Sequence, residues 1–226
     1  MVQTYTKRVN NRETFKSQVF RAFVDACGGD LEEFTQIVYG RFVIEDFGYS
    51  DDWKYYNILA YFQEKVIPHK IEVFQAGIEL SRNQWFKDLH IDTAQFIENL
   101  WLHDISKFSA NESFGYAFHD FKSKEYSLSF EMSWHHHKQF NAHHPEHWLN
   151  ANRSGVLNVL PMPKIYILEM VADWIGVGRT YGSTLEEWLP KNIQKFTWHE
   201  KTAIELQKIL INIGIDTKIN GSILSV

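Results

Sequence analysis

The chain has 226 residues, 44% of them hydrophobic and 15% aromatic, and carries a formal net charge of -5. That length and apolar content support one core of ordinary domain size and exclude a disordered chain. The acidic balance excludes a long surface that tracks nucleic-acid phosphates. A single cysteine, Cys27, excludes an internal disulfide and a thiolate metal cluster, as suits a reducing cytoplasm.

In chain order, residues 1–50 read as an N-terminal helical extension. Phe15, Val19, Phe20 and Phe23 form a helical pattern stopped by Gly28-Gly29, and a second helix runs from Asp30 to Gly40. Met1–Asn11 lacks the apolar run of a secretory signal, and no stretch approaches a membrane span. From Asp51 a helix passes through Trp53, Tyr56, Ile58, Leu59 and Phe62 until Pro68 punctuates it, which places His69 in the first turn of a new helix. Asp92, with Gln95 three residues on, marks the start of the next helix. On that helix Phe96, Leu100, His103 and Asp104 are expected to share one face.

Residues 109–121 read as a loop and a short aromatic helix, and 124–140 as a helix entering a histidine-rich segment. Val156–Leu160 reads as extended. After Pro161 and Pro163, Ile165, Leu168, Ala172, Ile175 and Arg179 form an apolar helical stripe bordered by Asp173, with Glu169 one turn back. A last helical pattern runs from Lys191 to Ile213, and Asn220-Gly221 suggests a terminal turn.

All histidines but His199 lie between His69 and His147. A buried His103-Asp104 pair needs a compensating cation or hydrogen bonds, and imidazole with carboxylate suits Zn, Fe, Mn, Co or Ni, with Mg as a harder alternative. His69, His137, His143, His144 and Asp173 are the partners available to complete a site. Isolated His90, His119, His147 and His199 read as structural or surface groups.

The order of these residues resembles the HD-domain superfamily of all-helical metal-dependent phosphohydrolases. The matching segments are His103-Asp104-Ile105-Ser106-Lys107-Phe108, Asn141-Ala142-His143-His144-Pro145-Glu146 and Glu169-Met170-Val171-Ala172-Asp173-Trp174. The likeness runs over about 65–215 and is nearest to an uncharacterised phage and bacterial branch. It implies an all-α, HD-domain-like helical bundle over 51–226, with little or no sheet and with 1–50 as the extension. By resemblance, His69, His103, Asp104 and Asp173 hold a divalent transition metal, and His137 with either His143 or His144 corresponds to the extra histidines of members with two or more ions.

Ser106 stands where many members have glycine, and Lys107 where the small nucleotidases have a carboxylate. The activity implied is hydrolysis of a nucleotide or nucleotide-derived phosphoester by metal-activated water. Asp104, Lys107 and Glu112 are the catalytic candidates, and Lys107, Asn141 and Arg179 the candidates for holding a small phosphorylated substrate. The alternatives are a di-iron oxygenase of the same fold and a non-catalytic, nucleotide-binding phage protein in the bacterial host cytoplasm. No membrane partner is expected, and a homo-oligomer is left open.

Overall fold

The structure, a computed structural model, describes residues 57–121, 127–151, 153–155 and 157–219, apart from position 59. The two helices expected within 1–50, the start of the pattern at Asp51 and the turn at Asn220-Gly221 lie outside the described residues. In chain order the helices are α1 (Ile67–Ser81), α2 (Gln84–Lys87), α3 (Thr93–Leu102), α4 (Ala110–Phe121), α5 (Leu128–Phe140), α6 (Lys164–Tyr181), α7 (Leu185–Asn192) and α8 (Glu200–Asn212). Strands β1 (Leu149–Ala151) and β2 (Leu157–Val159) pair antiparallel with Asn150 opposite Asn158. The described chain is therefore all-α with one small hairpin. No helix in it is long and apolar enough to cross a membrane.

The described residues form two compact units. One comprises those up to Ile67 together with Asp104–His137. Here Phe62 packs on Phe108 at 4.7 Å between ring centroids, and Tyr61 stacks on Tyr116 at 5.8 Å. The segment 109–121, expected to begin as a loop, is helical from Ala110. Gly115 lets α4 approach α5 closely, because a Cβ there would collide with the Ser133 side chain and the Ser129 backbone. Glu112 lies three residues before Gly115 and His137 four after Ser133, so this contact brings their two faces together.

A π-helical turn, Phe62–Val66, precedes α1, and the Ile67 N–H donates to the Phe62 carbonyl five residues back. Pro68 explains the widening: it has no N–H to give the preceding turn, and its ring crowds the carbonyl four residues earlier. The chain is thus already helical at Pro68 rather than starting afresh there, while His69 sits in the first turn of α1 as expected.

The other unit comprises Pro68–His103 and the described residues from Lys138 onward. Its core contains Val73, Phe96, Leu100, Ile167, Leu168, Val171, Leu189, Trp198, Leu206 and Leu210, all buried to within 1% of full enclosure. Each large side chain so enclosed contributes about 1.5–3 kcal/mol. Helix ends follow local chemistry. Asp92 accepts from the N–H groups of Ala94 and Gln95, although the Gln95 amide turns to Asn99 instead of closing a capping box. Gly182, at φ 73°, ends α6 in the left-handed region that glycine enters without strain.

The single helix expected from Lys191 to Ile213 is two. Thr184 and Glu187 form a full capping box that starts α7 earlier, and His199 caps α8 by accepting from the Lys201 N–H. Between them Trp198 is buried with its indole N–H donating to the Ile193 carbonyl, so the apolar pattern runs on through a bend.

Candidate metal centre

The expected shared helical face of His103 and Asp104 is not formed. α3 stops at Leu102, His103 caps it in an extended conformation, and Asp104 takes the left-handed region at φ 54°. Aspartate is one of the few residues that tolerates this conformation, at a cost of about 1–2 kcal/mol. The doublet divides between the two units, His103 ending a segment of one and Asp104 opening a segment of the other.

In the unit that contains His103, α1 supplies His69, the end of α3 supplies His103, the turn after α5 supplies His143, and α6 supplies Glu169 and Asp173 one turn apart. Lys70, beside His69 and itself buried, donates its ammonium to the carbonyls of His103 and Trp101, fastening α1 to the C-terminus of α3.

Three donor atoms converge. His69 Nε2 lies 3.1 Å from Asp173 Oδ1. His103 Nε2 lies 3.3 Å from His69 Nε2 and 3.4 Å from Asp173 Oδ1. Donors bound about 2.0–2.2 Å from one ion stand about 3–3.5 Å apart, so this triangle has the spacing of a ligand set. On the far side of its ring, His103 Nδ1 meets Glu169 Oε1 at 3.2 Å, and His143 Nδ1 reaches the same oxygen at 3.1 Å. These buried groups can hold a metal ion.

The electrostatics agree with that reading. Burial pushes the Glu169 carboxyl up, but hydrogen bonds and charge from His103 and His143 outweigh it and bring it down to about 2. Burial likewise raises Asp173, and the bonds from His103 and His69 hold it well below the usual carboxylate range. Both are therefore ionised at neutral pH and can only accept. Only a doubly protonated His103 could donate to both carboxylates; a neutral ring with its proton on Nδ1 toward Glu169 turns its Nε2 lone pair toward the Asp173 oxygen. A cation between them removes that repulsion.

The unit that contains Asp104 holds a second set. Lys107 Nζ contacts Asp104 Oδ2 at 2.6 Å and stands 5.5 Å over the Tyr116 ring. Asp104 Oδ1 lies 3.3 Å from His137 Nε2, and His137 Nδ1 bonds Glu112 Oε2 at 2.8 Å. The other Glu112 oxygen takes His136 Nδ1 at 2.6 Å. Glu112 is fully buried, which raises its carboxyl, yet the bonds from His136 and His137 bring it below the ordinary value. An ionised Glu112 has no proton to give at neutral pH.

A family model, described as a family of unknown function, DUF5662, matches residues 59–214. The chain belongs to the DUF5662 family. No curated protein and no solved structure matches it. The match contains every residue of both clusters in this DUF5662 chain.

Other candidates take different places. His143 is buried against Glu169, whereas His144 is half-buried, lies tilted against His143 at 4.4 Å between ring centroids and caps the 3-10 turn Pro145–Trp148. Asn141 is buried and its carbonyl accepts the His144 N–H, closing the turn that precedes Pro145. Arg179 forms a two-armed, exposed pair with Glu79 at 3.0 and 2.6 Å, so its guanidinium is engaged by a carboxylate instead of awaiting a phosphate. His119 stacks on Phe130, and His147 Nδ1 bonds the Gln139 carbonyl.

Sequence reasoning missed Glu169, Lys70 and His136. Only Glu169 left a signal, as a second acid one turn before Asp173.

The His69–Asp173 spacing in this DUF5662 chain rests on a close helix contact. A Cβ at Gly176 would lie 2.7 Å from the Val73 backbone nitrogen. Gly176 follows Asp173 by three residues and Val73 follows His69 by four, so α6 and α1 touch one turn from the donors. Gly176→Ala is expected to lose about 1–3 kcal/mol through overpacking, despite a gain of about 1 kcal/mol in helix propensity, and to weaken metal binding. Urea denaturation and metal titration check this, and an unchanged affinity would show that the contact does not set the spacing.

Proposed function

We propose that this protein is a metal-dependent phosphohydrolase acting on a nucleotide or nucleotide-derived phosphoester. The observation that carries the reading is the triangle of His69 Nε2, His103 Nε2 and Asp173 Oδ1, with sides of 3.1–3.4 Å, backed by the buried Glu169 carboxylate. The resemblance of the His103-Asp104 segment and of Asp173 to the HD-domain superfamily supplies the reaction class. Two imidazoles and a carboxylate suit Mn, Fe, Co, Ni or Zn, with one or two ions per chain and Mg as a harder alternative.

When bound, such an ion lowers the pKa of a coordinated water to give hydroxide near neutral pH and polarises a phosphoryl oxygen. The chain's own groups hold the donors: Lys70 fixes the His103 backbone, and Glu169 holds the His103 and His143 rings. A reducing cytoplasm, where phosphorylated metabolites are abundant, suits a chain with one cysteine.

The test is metal analysis of the purified protein, followed by a panel of phosphoesters and nucleotides with Mn, Mg, Fe, Co, Ni and Zn. Phosphate release under anaerobic conditions with a redox-inert ion is the expected result. Activity that requires iron and consumes oxygen would replace the reading with an oxygenase, and stoichiometric nucleotide retention without turnover would replace it with a binding protein.

A further inference from the structure

We infer that Glu169 is a positioning residue that fixes the rings of His103 and His143 together, each with its proton on Nδ1, so that both Nε2 lone pairs turn toward Asp173. The inference rests on the metal-binding reading above and adds to it the group that sets the ligands' tautomers.

One oxygen makes both bonds. Glu169 Oε1 meets His103 Nδ1 at 3.2 Å and His143 Nδ1 at 3.1 Å. A carboxylate oxygen has lone pairs for two donors and no proton of its own, so each facing nitrogen donates. The opposite nitrogen of each ring then faces Asp173: His103 Nε2 stands 3.4 Å from Oδ1 and His143 Nε2 3.9 Å from Oδ2. The two rings lie 4.2 Å apart between centroids, so a tautomer change in one disturbs the other.

The competing assignment makes Glu169 itself a ligand, with His103 and His143 offering Nδ1. It would require the His103 N–H to sit on Nε2, which removes the lone pair that completes the triangle with His69. Access favours the first assignment as well, since the Asp173 side chain is 13% exposed and that of Glu169 only 7%. Outer carboxylates of this kind orient a metal-bound histidine and raise its basicity, and their loss weakens metal affinity about 10–100-fold.

Two variants separate the assignments. Glu169→Gln keeps an amide oxygen that accepts both bonds, whereas Glu169→Leu keeps the volume and removes the acceptor. In the metal-free wild-type protein, nitrogen NMR of the imidazoles is expected to show His103 and His143 protonated on Nδ1. Glu169→Gln should retain that pattern and bind cobalt within about tenfold of wild type, while Glu169→Leu should lose the pattern and bind about 10–100-fold more weakly. Wild-type rings protonated on Nε2, or a Gln variant as defective as the Leu variant, would overturn the proposal. The wild-type spectrum decides even if the Leu variant fails to fold. Wild-type protein that takes up no cobalt refutes the metal reading alone, because the tautomer comparison is made without metal.

Discussion

Replacing His103 by alanine is expected to weaken binding of a divalent transition metal by more than the roughly 100-fold that the loss of an outer orienting group causes. Among the described residues, His103 is the one ring that faces both His69 with Asp173 on one edge and Glu169 on the other. Its removal takes away a donor and the partner of two ionised, enclosed carboxylates. Breaking a buried pair by deleting one member costs about 3–5 kcal/mol, so the metal-free variant should also unfold at lower urea than metal-free wild type. Cobalt titration followed by absorption, with urea denaturation of the metal-free proteins, measures both effects. Unchanged affinity and stability would mean that His103 is neither ligand nor partner.

Acid should destabilise the metal-free protein in a definite window. Glu169 is brought from an ordinary value of 4.5 to about 2 in the fold. A carboxyl depressed on folding contributes stability that is fully present above its unfolded value and lost as pH falls through the folded one. The contribution of Glu169 is on the order of 3 kcal/mol, present at neutral pH and fading from about pH 4.5 to about pH 2. Asp173, held well below its usual range, adds a loss in the same direction. Glu169→Gln has no such group, so its stability should fall less steeply over this window when both proteins are denatured at a series of pH values. Parallel curves would show that the carboxylate is not held by the two histidines.

Several elements were legible because one local cause decided each. The all-α class followed from helical spacing, the start of α3 from Asp92, and the strong helix α6 from the prolines before it and the stripe through Leu168 and Ala172. The β2 strand lies within the extended run expected over Val156–Leu160, but its partner Leu149–Ala151 follows a histidine-rich turn and carries no alternating pattern of its own. The break between α7 and α8 was hidden because the buried Trp198 continues the apolar signal through residues that are not helical.

The site was legible in its donors and obscure in its geometry. His69, His103 and Asp173 stood out by type and order, and the structure brings them within hydrogen-bonding distance. That α3 stops before His103 and that Asp104 takes the left-handed region is something periodicity does not register. Glu169 looked like an ordinary acid because it is explained only by two histidine rings supplied from elsewhere in its own unit. An ion-pairing partner such as Glu79 for Arg179, 100 residues away in sequence, is likewise a product of packing.

The central claim, that His69, His103 and Asp173 form a metal site, is tested most directly by X-ray absorption at the metal edge of the zinc- or cobalt-loaded protein, wild type against His103→Ala. The expected wild-type spectrum shows nitrogen and oxygen donors at about 2.0–2.2 Å with the outer-shell scattering of at least two imidazoles, diminished in the variant. A metal-free wild type, or an identical imidazole shell in His103→Ala, would contradict it.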